Sequence, residues 1–287
     1  MLVSIVSVFT MIVTSCQKED EQIEKIEGAL PGLFSVSDNK KVRFSQGNLQ
    51  YQASTNTWRF AEHQYDYVGT QTSDVFGYYG GNVSGSDNRY ISSTYCGWID
   101  LFGWGTGSNP TLSSLSFEDY GTFVDWGSNA IINGGNTANQ WRTLTIAEWD
   151  YLLNTRTEAL SKRGTGNING VGGLIILPDS WTLPSECSFT SGFTTYNPNT
   201  YPDWTHNSYT LAQWAQMEAA GAVFLPAAGH RFGTDVGFVG NWGWYWSSTP
   251  FFHVSAACYM KFDSMSLGAT YNSDREGGFS VRPVQDN

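Results

Sequence analysis

The fold is decided by the stretch WRTLTIAEW at residues 141–149. Its residues 145–148, Thr-Ile-Ala-Glu, have the spacing of a capping box, in which the threonine hydroxyl accepts a hydrogen bond from the first helical turn and the glutamate reaches back to the cap. Trp149, Leu152 and Leu153 follow at helical spacing and form one apolar face. We therefore predict a short helix that begins after the threonine and packs through this face.

A second helix is predicted further along the chain by the same signals. Residues 210–213, Thr-Leu-Ala-Gln, form another capping box, and Trp214 and Met217 share one face. Gly221 supplies a stop, because glycine readily adopts the left-handed conformation that ends helices.

Short strands are expected over most of the remaining sequence. Phe34 and Val36 alternate with polar residues before the turn at residues 38–39, and Val42 and Phe44 do so after it, which predicts a β-hairpin. Further predicted strands are Leu174–Leu177, Ala222–Leu225, Trp244–Ser247, Cys258–Phe262 and Phe279–Val284. Two helices among many short strands and long loops predict an α+β domain.

Composition excludes one class of partner. Aromatic residues make up 15% of the chain, with 12 Trp and 31 Gly, whereas charged residues are only 14%. This balance is typical of a loop-rich globular fold with many aromatic anchors. The net charge is −11, which repels a phosphate backbone, so we predict that nucleic acid is not a partner.

The start of the chain has the pattern of an export signal. Residues 1–15 are apolar and too short to span a bilayer, and the junction before Cys16 resembles a bacterial lipobox. The resemblance implies a signal peptide over residues 1–15, lipidation of Cys16 and anchoring in the outer membrane. No Lys or Arg precedes the apolar run, so we expect the true start to lie upstream. The alternative is a buried strand that ends in an ordinary cysteine.

An acidic segment follows the predicted lipidation site. Residues 17–21, Gln-Lys-Glu-Asp-Glu, resemble the surface-export signal of Bacteroidetes lipoproteins, which implies that the protein faces the cell exterior. The alternative is a simple solvated tether. We predict an acidic flexible tether over residues 16–32 and a binding domain over residues 33–287.

Several motifs resemble one known family. Residues 141–149, 246–249 (Trp-Ser-Ser-Thr) and 278–284 (Gly-Phe-Ser-Val-Arg-Pro-Val) resemble the formylglycine-generating-enzyme type of C-type-lectin-like domain. Residues 47–51, 101–105 and 224–229 resemble Bacteroidetes lipoproteins that carry this fold. The resemblance covers residues 33–285 and implies a C-type-lectin-like fold of two helices, short and mostly antiparallel strands, and long loops.

The same branch includes the variable proteins of diversity-generating retroelements, in which a C-terminal face binds ligands. The resemblance implies a ligand-binding surface in residues 249–276 here, flanked by scaffold aromatics. The predicted ligand-binding residues are Phe251, Phe252, His253, Val254, Ser255, Lys261, Asp263, Ser266, Leu267, Ala269, Thr270 and Tyr271. The predicted scaffold residues are Trp244, Tyr245, Trp246, Tyr259, Phe262 and Phe279. The alternative is an ordinary long surface loop.

Enzymes of this family use a reactive cysteine pair, and the chain departs from that pattern. Cys258 is the only cysteine in the equivalent stretch, and no C-x-x-C motif occurs. We interpret Cys96, Cys187 and Cys258 as packing residues and leave a disulfide between the last two open. We therefore predict that the protein is not an enzyme.

No metal or cofactor site is predicted. The four histidines show no metal-binding spacing, so we interpret each as a surface or hydrogen-bonding residue: His63, His206, His230 and His253. The calcium-binding sequences of sugar lectins are absent. The segment most similar to these sequences, residues 201–204, is better explained as a turn. A calcium site formed by scattered Asp and Asn residues stays an open alternative, because oxygen ligands have little sequence signature.

These inferences combine into one functional hypothesis. We predict a lipid-anchored cell-surface protein that binds an external protein or glycan through its C-terminal segment. The sequence leaves open whether this segment is diversified by a retroelement. The first alternative is a carbohydrate-binding component of a glycan-uptake system. The second is a thiol-oxidising enzyme of the formylglycine-generating type.

Overall fold

Strands dominate the computed structural model, which describes residues 26–70 and 80–287. Within these residues the strands β1 to β15 are, in chain order, Phe34–Ser37, Lys40–Phe44, Leu49–Gln52, Thr57–Phe60, Trp98–Ile99, Arg163–Ile168, Val171–Ile176, Ser208–Tyr209, Val223–Pro226, His230–Phe232, Asp235–Gly237, Gly243–Pro250, Ala256–Phe262, Leu267–Asp274 and Val284–Asp286. The α-helices in the same residues are α1, Ile146–Asp150, and α2, Leu211–Ala219. Short 3₁₀ turns lie at Ala53–Thr55, Asn88–Tyr90, Phe117–Tyr120, Trp126–Ser128 and Ala159–Lys162. This mixture confirms the predicted α+β class.

The hairpin predicted around residues 38–39 is confirmed. β1 pairs antiparallel with β2, with Phe34 opposite Val42. The other edge of β2 pairs antiparallel with β15, with Val284 opposite Phe44. Strands from the two ends of the described chain therefore share one sheet.

Packing begins before the predicted domain boundary at residue 33. Ala29 forms a β-bridge with Ser45, and the Leu30 N–H donates to the Phe44 carbonyl at 2.8 Å. Leu30 is buried in the apolar core. The last residues of the predicted tether, 16–32, are therefore part of the fold, because Leu30 buries its side chain there. Residues 16–25 lie outside the described residues.

The first predicted helix is confirmed, and its cap has the predicted hydrogen bonds. The Thr145 hydroxyl accepts from the Glu148 N–H at 3.2 Å, and the Thr145 N–H donates to the Glu148 carboxylate at 2.8 Å. A π-helical turn, Tyr151–Thr155, continues α1. Trp149, Leu152 and Leu153 are buried, so the predicted apolar face packs into the core.

The second predicted helix is confirmed in the same way. The Thr210 hydroxyl accepts from the Gln213 N–H at 3.3 Å, and the Thr210 N–H donates to the Gln213 side chain at 3.0 Å. Trp214 and Met217 are buried on one face of α2. Gly221 has φ +99° and stands directly after the helix, as predicted for the stop.

The long central sheet contains two of the predicted strands. β7 pairs antiparallel with β6 and with β9, and β6 also pairs parallel with β8. The predicted runs 174–177 and 222–225 correspond to β7 and β9, with shifted ends. Both strands are almost completely buried, which explains why their sequences read as continuous apolar runs rather than alternating ones.

A C-terminal sheet positions the residues of interest. β13 pairs antiparallel with β12 on one side and with β14 on the other. Because side chains alternate along a strand, Tyr245 and Met260 enter one apolar cluster, and Trp246 and Tyr259 enter another on the opposite face. Lys261, opposite Trp244 in the register, lies on this second, outer face.

The predicted strand over residues 279–284 is wrong as one continuous element. Phe279 forms an isolated bridge with Phe102, residue 280 forms one with Tyr245, and only the last residue begins β15. Arg282 between them is fully buried and donates to several carbonyl and amide oxygens. The segment crosses between sheets, and Pro283 lacks the N–H that a ladder needs.

Candidate functional site

Five of the predicted ligand-binding residues lie together at the end of one β-hairpin. Residues 251–255 connect β12 to β13, and we call them the hairpin tip. The Phe251 N–H donates to the Ala256 carbonyl at 3.1 Å, and the Ala256 N–H donates to the His253 carbonyl at 3.0 Å. His253 Nδ1 lies 2.8 Å from the Ser255 hydroxyl. These hydrogen bonds give the tip a defined conformation.

The hairpin tip presents apolar side chains to solvent. Phe252 is 88% exposed and Val254 is 69% exposed. The ring of Phe251 packs against that of Phe252, with centroids 4.2 Å apart. Contiguous exposed apolar surface of this kind marks interaction sites more often than scattered single residues do.

Two further predicted residues, Lys261 and Tyr271, meet on the outer face of the C-terminal sheet. Lys261 Nζ lies 3.3 Å from the ring centroid of Trp242, 5.5 Å from that of Tyr271 and 5.8 Å from that of Trp244. At these distances an ammonium group is attracted to the ring faces. Burial lowers the pKa of Lys261, and the charge of Asp263 partly opposes this shift.

His230 extends this group of rings. It stacks on Trp244 at 4.1 Å and on Phe238 at 5.5 Å. Burial, assisted by the charge of Lys261, lowers the pKa of His230 to about 4. Within the described residues, His230 Nδ1 and Trp244 Nε1 are buried without a hydrogen-bond partner. The His230 ring is half-buried and packs against the rings of Trp244 and Phe238, so it does not stand free at the surface.

These side chains form a defined surface that we call the aromatic patch. Its members are His230, Phe238, Trp242, Trp244, Lys261 and Tyr271. Tyr271 is 46% exposed, and Trp242 and Lys261 are half-buried. The patch therefore offers ring faces and one cation to a ligand.

Two predicted ligand-binding residues do not present their side chains to solvent. Asp263 is buried and accepts hydrogen bonds from the backbone N–H groups of Met265 and Ser266, both at 2.8 Å. Ala269 is buried in the same apolar cluster as Trp149. The prediction is corrected for both, because one residue shapes the turn after β13 and the other fills the core.

The remaining three predicted residues are divided between surface and core. Ser266 is exposed in the turn between β13 and β14, and Thr270 is exposed in the middle of β14. Leu267 is partly buried and packs against the main apolar cluster. Of these three residues, only Ser266 and Thr270 are therefore open to a ligand.

The hairpin tip and the aromatic patch lie near opposite ends of β13. The tip precedes Ala256, and the patch is centred on Lys261 near the end of the strand. At roughly 3.3 Å per residue the strand rises about 17 Å between these positions. The predicted ligand-binding segment therefore contributes to two surfaces rather than one.

Sequence reasoning missed part of the aromatic patch. His230, Phe238 and Trp242 precede the segment that was predicted to bind, and Trp244 was assigned to the scaffold. The signal that could have indicated them is the aromatic spacing around β12, where Trp242, Trp244 and Trp246 alternate. Their contacts with β13 and β14 depend on sheet pairing, which no local pattern reveals.

The described cysteines are unpaired thiols. Cys96 is exposed, Cys187 is half-buried and Cys258 is buried, and no disulfide joins the last two. Burial raises the pKa of both Cys187 and Cys258. A raised pKa disfavours the thiolate, which is the reactive form of cysteine. The thiol-oxidising alternative therefore gains no support from these two side chains.

The described residues also bear on metal and membrane sites. Among them, no group of three or more His, Cys, Asp and Glu side chains is arranged to hold a metal ion. A search of the same part of the chain finds no helix with the length and apolar character needed to cross a bilayer. The predicted signal peptide, residues 1–15, and the predicted lipidation site, Cys16, lie outside the described residues.

Comparisons with known proteins identify no relative. No protein-family model, curated protein or solved structure matches this chain. The family resemblance noted in the sequence stays a prediction.

Proposed function

We propose that the protein is a lipid-anchored protein of the outer cell surface that binds an external protein through its hairpin tip. The observation that carries this proposal is the exposure of Phe252 and Val254 at the end of a hydrogen-bonded hairpin. Burying a side chain of this kind contributes about 1.5–3 kcal/mol. A partner that covers the tip therefore stabilises the complex.

The support under the tip favours a binding role. β13, which carries the tip, is buried along almost its whole length, and Tyr259 and Met260 anchor it on both faces. A ligand that contacts the tip meets a preorganised surface, so little ordering entropy is lost on binding. Phe251 and Phe252 supply contact area with few rotatable bonds.

We further propose that the domain is C-type-lectin-like. Support comes from the three segments that carry the resemblance, because they are hydrogen-bonded to one another. The Arg142 N–H donates to the Val284 carbonyl at 2.9 Å, and the Trp246 N–H donates to the Ser280 carbonyl at 3.0 Å. The Ser248 N–H donates to the Leu144 carbonyl at 2.9 Å. The motifs thus form one structural unit.

The proposed attachment and diversification rest on sequence signals. Cys16 would carry the lipid, and the acidic segment after it would direct the protein to the cell exterior. The coding stretch for residues 249–284 would be the target of a retroelement. An adjacent reverse transcriptase gene together with a near-copy of that stretch would support diversification, and the absence of both would leave a generic adhesin.

The experiment uses the full chain with the paired substitution Phe252→Ser and Val254→Ser. Binding is measured against a panel of purified extracellular proteins. We expect the paired variant to lose at least about tenfold in affinity for the partner that the wild type binds, because two apolar contacts are lost. Leu160→Ser is the matched control, since Leu160 is an apolar side chain that is 61% exposed elsewhere in the chain. Unchanged affinity of the paired variant would contradict the proposal.

A glycan ligand is the second candidate, and the aromatic patch favours it. Tyr271 is exposed, and its ring and that of Trp242 both lie near Lys261 Nζ. Exposed ring faces can stack on sugar rings. A glycan array separates the two candidates. If a glycan is the ligand, Tyr271→Ala abolishes array binding and the paired tip variant keeps it. If a protein is the ligand, the paired tip variant loses binding in the protein panel and Tyr271→Ala keeps it. A carbohydrate-binding role in glycan uptake would follow from the first outcome.

A further inference from the structure

The face of β2 that points away from the core borders a groove of about 800 Å³. This is within the range of volumes, about 300–1,000 Å³, that small-molecule sites occupy. Its lining includes Pro31, Leu33, Lys41, Arg43, Asp179 and Asp286. The groove is separate from the hairpin tip and from the aromatic patch.

The sequence of β2 explains why cations line this groove. Val42 and Phe44 are buried in the main apolar cluster. Because side chains alternate along a strand, Lys41 and Arg43 lie on the opposite face. Arg43 is nevertheless only 7% exposed, since Pro31 and its neighbours cover that face.

Arg43 is poorly satisfied compared with the other buried arginines. Arg231 and Arg282 each donate to protein oxygens through Nε and both Nη groups. Arg275 donates through Nε and Nη1. Arg43 donates through Nη1 to the Pro31 carbonyl, and its buried Nε has no partner within the described residues. Burial also lowers the pKa of Arg43 without a compensating charge.

The acidic residues of the groove are already paired with other cations. Asp179 lies 3.0 Å from Arg156 and 3.2 Å from Lys41. Asp286 lies 2.7 Å from Arg142 and 3.4 Å from Lys40. In the part of the chain that the structure describes, no carboxylate lies within 4.0 Å of the Arg43 guanidinium. An anion in the groove would give the Arg43 guanidinium the charge partner that it lacks among the described residues.

We propose that this groove binds a small carboxylate that carries an apolar tail. The carboxylate would accept from the Arg43 guanidinium in a charge-assisted hydrogen bond, which is stronger than a neutral one. The tail would lie against the apolar part of the lining, formed by Pro31, Leu33 and Pro178. The buried charge of Arg43 would thereby be compensated, and the apolar walls would be covered.

The test uses hexanoate as the probe, with hexanol and hexylamine as matched uncharged and oppositely charged compounds. Affinity is measured by calorimetry on the full chain. We expect hexanoate to bind at least about tenfold more tightly than hexanol, because the charge-assisted bond adds free energy that the alcohol cannot replace. The Nε–H signal of Arg43, assigned by its loss in Arg43→Lys, should shift on titration with hexanoate.

Variants complete the test. Arg43→Gln should reduce hexanoate affinity to the level of hexanol, and Arg163→Gln should bind like the wild type, since Arg163 does not line the groove. If Arg43→Gln fails to fold, the wild-type Nε–H shift and the hexanoate-to-hexanol ratio decide the question. Equal affinity for hexanoate and hexanol, or an unmoved Arg43 signal, would overturn the proposal.

Discussion

Glu148 caps helix α1 and also holds the side chain of Arg142. Its carboxylate accepts from the Thr145 N–H at 2.8 Å and from two nitrogens of the Arg142 guanidinium, each at 2.8 Å. Burial alone would raise the pKa of Glu148, but the hydrogen bonds from Arg142 and Thr145 outweigh it and lower the pKa. The stabilisation is therefore present above the ordinary pKa of glutamate and is lost as the pH falls through the lowered value.

Glu148→Gln separates the charge pair from the cap. Glutamine still completes a capping box, as Gln213 does in α2, so the substitution removes the ion pair with Arg142 and the more exposed one with Lys40. We expect the free energy of unfolding at pH 7 to fall by about 2 kcal/mol, because the partly buried guanidinium loses one of its two carboxylates. Urea denaturation measures this loss. Gln213→Glu is the control and should change stability by less than about 0.5 kcal/mol. Equal effects of the two substitutions would refute the charge-pair argument.

At the scale of elements, local signals were sufficient for the helices and the first hairpin. Both capping boxes and the turn at residues 38–39 are short patterns whose physics is contained within a few residues. The strand over 279–284 was predicted wrongly because its partners, such as Phe102 and Tyr245, are distant in sequence. An apolar run reveals burial but not which sheet receives each residue.

The same limit explains the outcome for the candidate site. Lys261 and Tyr271 were predicted to bind and do meet at the surface. Ala269 was included because it lies in the segment that the resemblance assigns to ligand binding, and only the packing of β14 against the core shows that its methyl group is buried. Trp242 was missed because it precedes β12 and its contact is with Lys261 of β13, which is distant in sequence.

Gly221 tests how α2 ends. Its φ is +99°, and an added Cβ would lie 2.8 Å from the Cα atom of Gly32. Gly170 has a similar φ of +89°, but an added Cβ would meet nothing within 4 Å. Gly170→Ala should therefore cost about 1 kcal/mol of unfolding free energy from backbone strain alone. Gly221→Ala should cost about 1–3 kcal/mol more, because the backbone of Gly32 must also move. Thermal and urea unfolding of both variants measure the difference, and equal costs would show that the close approach is relaxed without strain.

For the molecule as a whole, two buried groups respond to acid in opposite ways. Burial raises the pKa of Asp100 to about 6, so its protonation in the folded state favours folding as the pH falls from 6 to 3.8. Burial lowers the pKa of His230 to about 4, so protonation in the unfolded state disfavours folding as the pH falls from 6.5 to 4. The two contributions to the free energy of unfolding fall in similar pH ranges and have opposite signs. They therefore offset each other in the wild-type protein.

His230→Phe exposes this compensation. Phenylalanine keeps a ring against Trp244, and His230 Nδ1 has no hydrogen-bond partner in the described residues to lose. At pH 7 we therefore expect an unfolding free energy within about 1 kcal/mol of the wild type. Between pH 7 and pH 4 the wild type should lose about 3 kcal/mol relative to the variant, because each unit of pKa shift is worth about 1.4 kcal/mol. Urea unfolding of both proteins at several pH values in one salt concentration measures this, and all other titrating groups cancel in the comparison. Parallel pH profiles would mean that His230 titrates normally, and the aromatic patch would then be more open to water than its stacked rings indicate.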